Sequence, residues 1–284
     1  MFDASTIKVK EPMIGKLLTK KCEIENLIKC KKYKTINLTI QPFQLCSLSN
    51  GYLVSTNYAN NKNLTIYDQN LSLVLNVDKI NEESFQTLFI ATNKIDRIYM
   101  NDFKTHSVIM TDFEFKYLNS VSSFNNQLFK YPCGIEYSDK YVFVCDLYNK
   151  HIHKLRENLE YVQSFEISYS PWQIKVSCDN VACIKPYNEE TIYFHELDTF
   201  LLKFKYNGHR GTISVIKSLF FEYCSVNNFI YCYNQKGELN ASKQIELNHL
   251  KELLNDDNDG TLIWFDETII ISSISKQKFI MIEN

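Results

Sequence analysis

The sequence predicts an all-β protein: a six-bladed β-propeller with a short N-terminal helical extension. The 284-residue chain contains 18 Tyr and 19 Phe, and aromatic residues favour pleated, half-buried strands. Short apolar runs also recur about every forty residues from residue 35 onward, which indicates a repeat architecture. Only 7 residues are Gly, so Asn and Asp take over the turns, where both tolerate left-handed backbone.

The first 34 residues form a basic N-terminal extension, and a helix is predicted at about residues 12–32. Pro12 suits a first helical turn, and Ile14, Leu17 and Leu18 begin an apolar series at roughly helical spacing. We expect this helix to dock on the main domain by its apolar stripe. The alternative is a partner-binding helix, since the segment is too short for a coiled coil of three or more heptads.

Charge is unevenly distributed along the chain. Residues 4–34 carry nine Lys and three Glu, a net charge of +6, and the whole chain carries −2, so the remainder carries −8. Nucleic-acid-binding surfaces usually show a basic excess. The negative net charge of the remainder therefore disfavours a nucleic-acid partner, although a local basic patch remains an alternative.

Cysteine usage and the N-terminus predict a cytoplasmic protein. The nine Cys are odd in number and include no Cys-x-x-Cys pair, which disfavours a disulfide framework and a zinc ribbon or RING. No signal-peptide h-region follows Met1, and no apolar run approaches the length of a membrane span. We expect no membrane association and no cofactor.

One segment carries a recognisable repeat. Residues 131–137, 141–146 and 149–155 read as strand, turn, strand, polar turn, strand. The segment resembles an NHL repeat, because six of its residues match positions of the NHL pattern: Pro132, Gly134, Ile135, Asp146, Asn149 and Ile152. The resemblance covers one repeat well and implies an NHL-like propeller of the kind found in tripartite-motif proteins.

Degenerate copies flank this repeat on both sides. The predicted third strands begin near residues 64, 107, 151, 191, 229 and 279, with spacings of 43, 44, 40, 38 and 50 residues. Six such units predict six blades over residues 35–284, and Lys34–Ile40 is predicted to add the outer strand of the last blade and close the ring. Seven blades or a two-sheet β fold remain alternatives. The sequence has no Trp-Asp repeat signature, which disfavours a WD40 propeller.

The sequence shows no catalytic constellation. His151 and His153 lie on one face of a predicted strand, but no third metal ligand is evident, so ordinary strand residues are the preferred interpretation. Other six-bladed propellers are lactonase-like or peptide-amidating enzymes that use metals in the central tunnel. This chain does not place three of its six His on equivalent inner positions, and we expect no enzymatic activity and no small-molecule substrate.

The turns between second and third strands are the predicted functional surface, because NHL propellers present them on one face. They lie at residues 57–63, 102–106, 146–150, 186–190, 226–228 and 273–278. Aromatic and cationic side chains suit a recognition patch. The predicted partner-binding residues are Tyr58, Lys62, Phe103, Lys104, Tyr148, Lys150 and Tyr187. The alternative is that these rings pack between blades.

These features predict a non-enzymatic scaffold or substrate-recruiting module that binds a protein or peptide. An RNA-binding NHL domain is the alternative. It is weakened by the presence of only three Arg, at positions 97, 156 and 210, because Arg is the preferred residue for stacking on bases and gripping phosphate. A propeller enzyme of lactonase or amidating-lyase type is a second alternative.

Overall fold

The computed structural model describes residues 33–38, 41–58, 64–93, 95–124, 127–208, 211–216, 219–224, 229–233, 245–246, 262–265, 268–273 and 278–282. The strands of the first half are β1 (Tyr33–Asn37), β2 (Pro42–Ser47), β3 (Leu53–Asn57), β4 (Leu64–Tyr67), β5 (Leu73–Val77), β6 (Lys79–Ile80), β7 (Glu83–Ser84), β8 (Ile90–Thr92), β9 (Ile98–Asp102), β10 (Ser107–Thr111), β11 (Tyr117–Val121), β12 (Ser123–Phe124) and β13 (Gln127–Leu128).

The second half continues the same pattern with strands of up to seven residues. They are β14 (Pro132–Ser138), β15 (Tyr141–Asp146), β16 (His151–Arg156), β17 (Tyr161–Glu166), β18 (Pro171–Val176), β19 (Val181–Pro186), β20 (Thr191–Glu196), β21 (Leu202–Asn207), β22 (Gly211–Ile216), β23 (Leu219–Cys224), β24 (Phe229–Tyr233), β25 (Ile245–Glu246), β26 (Leu262–Phe265), β27 (Thr268–Ser273) and β28 (Lys278–Ile282).

Within the described residues these strands form six four-stranded antiparallel sheets. Five sheets each use four consecutive strands, in the orders β2–β5, β8–β11, β14–β17, β18–β21 and β22–β25. We call them the first to fifth sheets. The sixth sheet has the order β26-β27-β28-β1, and two small hairpins, β6–β7 and β12–β13, follow the first and second sheets.

The sheets are arranged radially as a β-propeller. The innermost strands β2, β8, β14, β18, β22 and β26 contact one another in that order, and β26 contacts β2 again. Hydrophobic clusters fill the spaces between adjacent sheets, as where Val181 and Phe194 of the fourth sheet pack with Phe220 and Tyr233 of the fifth. This arrangement buries both faces of most strands in the ring.

The two ends of the chain meet in the sixth sheet. β1 pairs antiparallel with β28, from Tyr33 opposite Ile282 to Asn37 opposite Lys278. A cluster that includes Leu53 and Tyr67 of the first sheet with Phe279 of the sixth covers this junction. The N-terminal strand therefore closes the ring as the sequence predicted, and it begins at Tyr33 rather than at Lys34.

Close backbone approach at the axis explains the Gly of the NHL-like repeat. A Cβ on Gly134 would lie 2.7 Å from the carbonyl oxygen of Trp172 and 2.8 Å from Cα of Gln173. Both are backbone atoms of the neighbouring innermost strand, which cannot rotate away. Two glutamines also join innermost strands: the backbone N–H of Ile90 donates to Gln44 Oε1 (2.9 Å), and that of Ile213 to Gln173 Oε1 (3.1 Å).

The predicted third strands are confirmed: β4, β10, β16, β20, β24 and β28 begin at residues 64, 107, 151, 191, 229 and 278. Ile245 and Glu246 pair with β24 as the outer strand of the fifth sheet. The predicted helix at residues 12–32 lies outside the described residues. No helix in the described ranges has the length and apolar character needed to cross a membrane.

Candidate functional site

The turns between second and third strands lie directly beside the starts of the innermost strands. In each of the first four sheets, one turn residue donates its backbone N–H to a carbonyl just before the innermost strand. These bonds join Tyr58 to Gln41 (2.8 Å), Phe103 to Gln86 (2.8 Å), Tyr148 to Lys130 (3.1 Å) and Tyr187 to Ser170 (2.8 Å). The four aromatic residues singled out from the sequence therefore occupy equivalent places in the repeat.

Three of these rings are exposed. The exposed fractions are 48% for Tyr58, 66% for Tyr148 and 46% for Tyr187. Lys104 and Lys150 are exposed as well, and Lys104 Nζ donates to Ser84 Oγ at 2.8 Å. The remaining predicted residue, Lys62, lies outside the described residues.

The prediction that Phe103 presents its ring to a partner is wrong. Phe103 is only 7% exposed, and its ring stacks on that of Tyr131 with centroids 4.4 Å apart. Tyr131 comes from the start of the next innermost strand and covers Phe103. The alternative interpretation, a ring packed between blades, holds at this position.

Three packed aromatic rings close the axis beneath the exposed tyrosines. We call these rings, Phe43, Phe89 and Trp172, the aromatic plug. Phe43 packs edge-to-face on Phe89 (5.4 Å), and Phe89 packs in the same way on Trp172 (5.0 Å). These rings precede or begin the innermost strands of the first, second and fourth sheets, so the contact between Phe89 and Trp172 spans two sheets that are not neighbours. Below the plug a small cavity is lined by Phe43, Gln44, Phe89, Ile135, Gln173, Ile174, Lys175 and Ile213.

Two of the exposed rings rest on this plug, and the third rests on Tyr131. Tyr58 stacks on Phe43 (5.9 Å), Tyr187 lies against Trp172 (5.2 Å) and Tyr148 lies against Tyr131 (5.6 Å). Trp172 and Tyr131 are themselves half-buried. We name the surface formed by Tyr58, Tyr131, Tyr148, Trp172 and Tyr187 the aromatic face. Side chains from the first, third and fourth sheets thus converge at the mouth of the axis.

The electrostatics of Tyr131 reflect this convergence. Burial raises the pKa of Tyr131 above its ordinary value, and the nearby phenol groups of Tyr148, Tyr187 and Tyr58 are further causes of the rise. An ordinary tyrosine phenol, with a pKa of about 10, is already protonated at neutral pH, and the rise extends this to more alkaline pH. Tyr131 therefore presents a neutral hydroxyl beside three other phenols.

Several backbone N–H groups around the aromatic face already donate hydrogen bonds within the protein. Besides the four turn bonds above, the N–H of Leu147 donates to the carbonyl of Tyr131 at 3.3 Å, and the N–H of Tyr131 donates to His106 Nδ1 at 3.2 Å. By contrast, no hydrogen bond among the described residues uses the hydroxyl of Tyr58, Tyr148 or Tyr187. The donors that a ligand would meet here are side-chain hydroxyls.

Charges of both signs surround the aromatic face. Lys130 and Lys150 are exposed on the third sheet beside Tyr148, and Glu189 and Glu190 are exposed on the fourth sheet beside Tyr187. The rim is therefore mixed in sign. Over the part of the rim that the structure describes, it does not form the one-sided basic surface that a phosphate backbone requires.

Asp146 of the third sheet is a structural residue. It is fully buried, and it accepts hydrogen bonds from the N–H of Lys130 (2.8 Å) and from Asn149 Nδ2 (2.7 Å). Asp102 accepts the equivalent bond from the N–H of Gln86 (2.9 Å) in the second sheet. These carboxylates hold each turn against the innermost strand and so support the aromatic face from below.

The two strand histidines are likewise parts of the packing. His153 is buried, with Nε2 at 3.2 Å from Asp146 Oδ2 and Nδ1 at 2.8 Å from Ser164 Oγ. His151 Nδ1 lies 2.6 Å from the carbonyl oxygen of Asn149. Across the described ranges, no three His, Cys, Asp or Glu side chains are grouped so that they could hold a metal ion.

Sequence reasoning missed Tyr131 and Trp172 as members of the face. A signal was available, since an aromatic residue stands at or just before the innermost strand in four successive repeats: Phe43, Phe89, Tyr131 and Trp172. Innermost strands converge on the axis in a propeller. A recurring aromatic residue at their starts therefore predicts rings gathered at one mouth.

No protein-family model and no curated protein sequence matches the chain. Similar solved structures include virginiamycin B lyase from Staphylococcus aureus, with 10% identity over 88% of this chain and 98% of that chain and a TM-score of 0.63. Streptogramin B lyase has 10% identity, coverage of 88% and 96%, and a TM-score of 0.62. The β-propeller domain of Cps50 (Swd1) from Myceliophteria thermophila has 11% identity, coverage of 88% and 99%, and a TM-score of 0.57.

At these identities the likeness shows the β-propeller fold and nothing finer. The similar structures include two lyases and a Swd1 propeller domain, and one fold can host unrelated functions. The resemblance to NHL repeats stays a prediction from the sequence.

Proposed function

We propose that this chain is a non-enzymatic recognition module that binds a segment of a protein partner on its aromatic face. One observation carries the proposal: three tyrosines that are 46–66% exposed each pack on an aromatic ring at the start of an innermost strand, Tyr58 and Tyr187 on the aromatic plug and Tyr148 on Tyr131. Solvent-exposed aromatic rings gathered at one concave mouth are the usual anchors of protein recognition.

The packing beneath the rings reduces the entropic cost of binding. The turn backbones are held by their hydrogen bonds to Gln41, Lys130 and Ser170, and each ring contacts another ring below or beside it. Such side chains lose little freedom when a partner covers them. The aromatic face thus provides apolar contact area that is already arranged before binding.

Binding accounts for the face better than acid–base chemistry does. His106 uses Nδ1 to accept the N–H of Tyr131, and the carboxylates of Asp102 and Asp146 hold turns. General acid–base catalysis needs a titratable group within hydrogen-bond reach of a substrate. The side chains that dominate this mouth are instead neutral rings.

We further propose that the ring is a six-bladed, NHL-like propeller. The six four-stranded sheets and the closed cycle of innermost strands support six blades. The turn-holding role of Asp146 and Asn149, with the close approach at Gly134, supports the NHL-like repeat. The partner would then be a protein or peptide, as in the recruiting propellers of that family.

Panning a phage-displayed library of random peptides against the purified full chain tests this function. Enriched peptides should bind the wild type and lose at least tenfold in affinity on the triple variant Tyr58→Ala, Tyr148→Ala, Tyr187→Ala. Tyr52→Ala is the matched control, because Tyr52 is 37% exposed in the β2–β3 turn, at the other end of the strands. If enriched peptides bind the triple variant as tightly as the wild type, the aromatic face is not the site.

A further inference from the structure

The aromatic face restricts the kind of peptide that it can hold, because the donors that its three exposed tyrosines offer are hydroxyls. We propose that its ligand is a proline-rich segment in the polyproline II conformation, an inference that rests on the proposed function. The carrying observation is that the turn backbone N–H groups of Tyr58, Tyr148 and Tyr187 donate to carbonyls within the protein, whereas no hydrogen bond between described residues uses their hydroxyls.

Because these backbone N–H groups already donate within the protein, we do not expect the ligand to bind as an added β-strand. Strand addition depends on main-chain hydrogen bonds along an open sheet edge. At this mouth the N–H groups of Tyr131 and Leu147 are also engaged, with His106 and with the carbonyl of Tyr131. An extended β-strand would find few backbone partners.

A polyproline II helix has the complementary chemistry. It has no internal hydrogen bonds, its carbonyl groups point outward, and proline has no N–H to satisfy. The phenol hydroxyls of the aromatic face can donate to these carbonyls, because a tyrosine phenol with its ordinary pKa of about 10 is protonated at neutral pH. Proline rings can pack on aromatic faces, as in other proline-recognition grooves.

The shape and charge of the site agree with such a ligand. Exposed rings from the first, third and fourth sheets each pack on another aromatic ring, and 46–66% of their surface stays open to a ligand. The rim carries Lys150 on one side and Glu190 on the other. An uncharged peptide core meets no net repulsion there, whereas a polyanion would meet the carboxylates.

Fluorescence polarisation with labelled peptides on the full chain tests the inference. A decaproline peptide should bind at least tenfold more tightly than a Gly/Ser peptide of equal length, and a Thr/Val peptide should not exceed the Gly/Ser peptide. Because the contact is uncharged, decaproline affinity should change less than about threefold between 50 and 500 mM salt. A labelled oligouridylate is measured in parallel.

Two conservative variants separate the hydroxyls from the rings. The pair Tyr148→Phe, Tyr187→Phe keeps the rings and should weaken decaproline binding by about three- to tenfold, the effect of losing neutral hydrogen bonds. The pair Tyr148→Ala, Tyr187→Ala should abolish it, and Tyr52→Ala should leave it unchanged. Circular dichroism of each variant confirms that the β structure is retained.

Each remaining outcome decides between the two proposals. If library peptides bind the aromatic face but decaproline binds no better than the Gly/Ser peptide, the proline inference is wrong and the proposed function stands. If no peptide binds this face, both fail. If oligouridylate binds more tightly than decaproline and loses affinity steeply with salt, base stacking replaces proline recognition.

Discussion

A buried ion pair joins the fourth and fifth sheets and gives a quantitative test of the interface between them. Lys185 Nζ lies 2.7 Å from Glu222 Oε1, with side chains that are 6% and 0% exposed. The hydroxyl of Tyr233 donates to Glu222 Oε2 at 2.7 Å. A substitution at Lys185 therefore removes the cation that lies 2.7 Å from a fully buried carboxylate.

The loss of stability expected on substitution of Lys185 follows from the burial of this pair. Removing one partner of a buried pair destabilises a protein by about 3–5 kcal/mol, because the remaining charge is uncompensated. A domain of this size loses roughly 2–4 °C of melting temperature per kcal/mol. Lys185→Met should therefore lower the melting temperature by about 6–20 °C. The double variant Lys185→Met, Glu222→Leu should recover most of this loss, since no charge remains to be buried.

Urea and thermal unfolding, followed by circular dichroism, measure both variants in a double-mutant cycle. The matched control is the exposed pair Lys203–Glu196, whose atoms are 3.9 Å apart and whose side chains are both 43% exposed. Lys203→Met should cost less than about 1 kcal/mol. The reasoning is refuted if Lys185→Met costs no more than this control, or if the double variant is as unstable as the sum of the single variants.

Three further predictions concern the residues that position the aromatic face and its neighbours. Gly134→Ala should cost about 1–3 kcal/mol in urea unfolding, because the added Cβ meets backbone atoms of Trp172 and Gln173 at 2.7–2.8 Å; an unchanged midpoint would contradict this. Asp146→Ala should cost about 3 kcal/mol in the same assay, because the N–H of Lys130 and Nδ2 of Asn149 lose their acceptor. The control Asp68→Ala, in a solvent-accessible turn, should cost less than about 1 kcal/mol. Burial lowers the pKa of His195, and its bond to the Phe200 carbonyl opposes this more weakly, so the unfolded chain binds the proton more readily. The contribution of His195 to the free energy of unfolding should then be fully present above the ordinary pKa of about 6.5 and fall as the pH drops toward the lowered pKa. His195→Gln should therefore flatten the dependence of the urea midpoint on pH between pH 7 and pH 5.

The strand positions were largely predictable because they depend on local patterns. Third strands such as β10 and β16 follow Asp-containing turns, and both turns are held by the same Asp contacts. Outer strands were harder to predict. In β5 the first four residues are exposed and only Val77 is buried, so the strand has no alternating pattern to signal it.

The candidate site was predictable only in part. The turn tyrosines Tyr58, Tyr148 and Tyr187 followed from their equivalent places in the repeat, and all three are exposed. Phe103 occupies the same place, but Tyr131 of the following repeat covers it. That contact joins different sheets, and repeat position alone does not indicate which ring will cover another.

The amino-acid sequence by itself determined the repeating unit, the order of its strands and the pairing of the N-terminal strand with the last sheet. These features follow from apolar alternation and turn residues over short stretches of chain. Only the tertiary structure decided which rings close the axis and which face solvent. Phe89 meets Trp172 across the mouth although 83 positions in the sequence separate them, and such contacts arise when innermost strands from non-adjacent sheets converge.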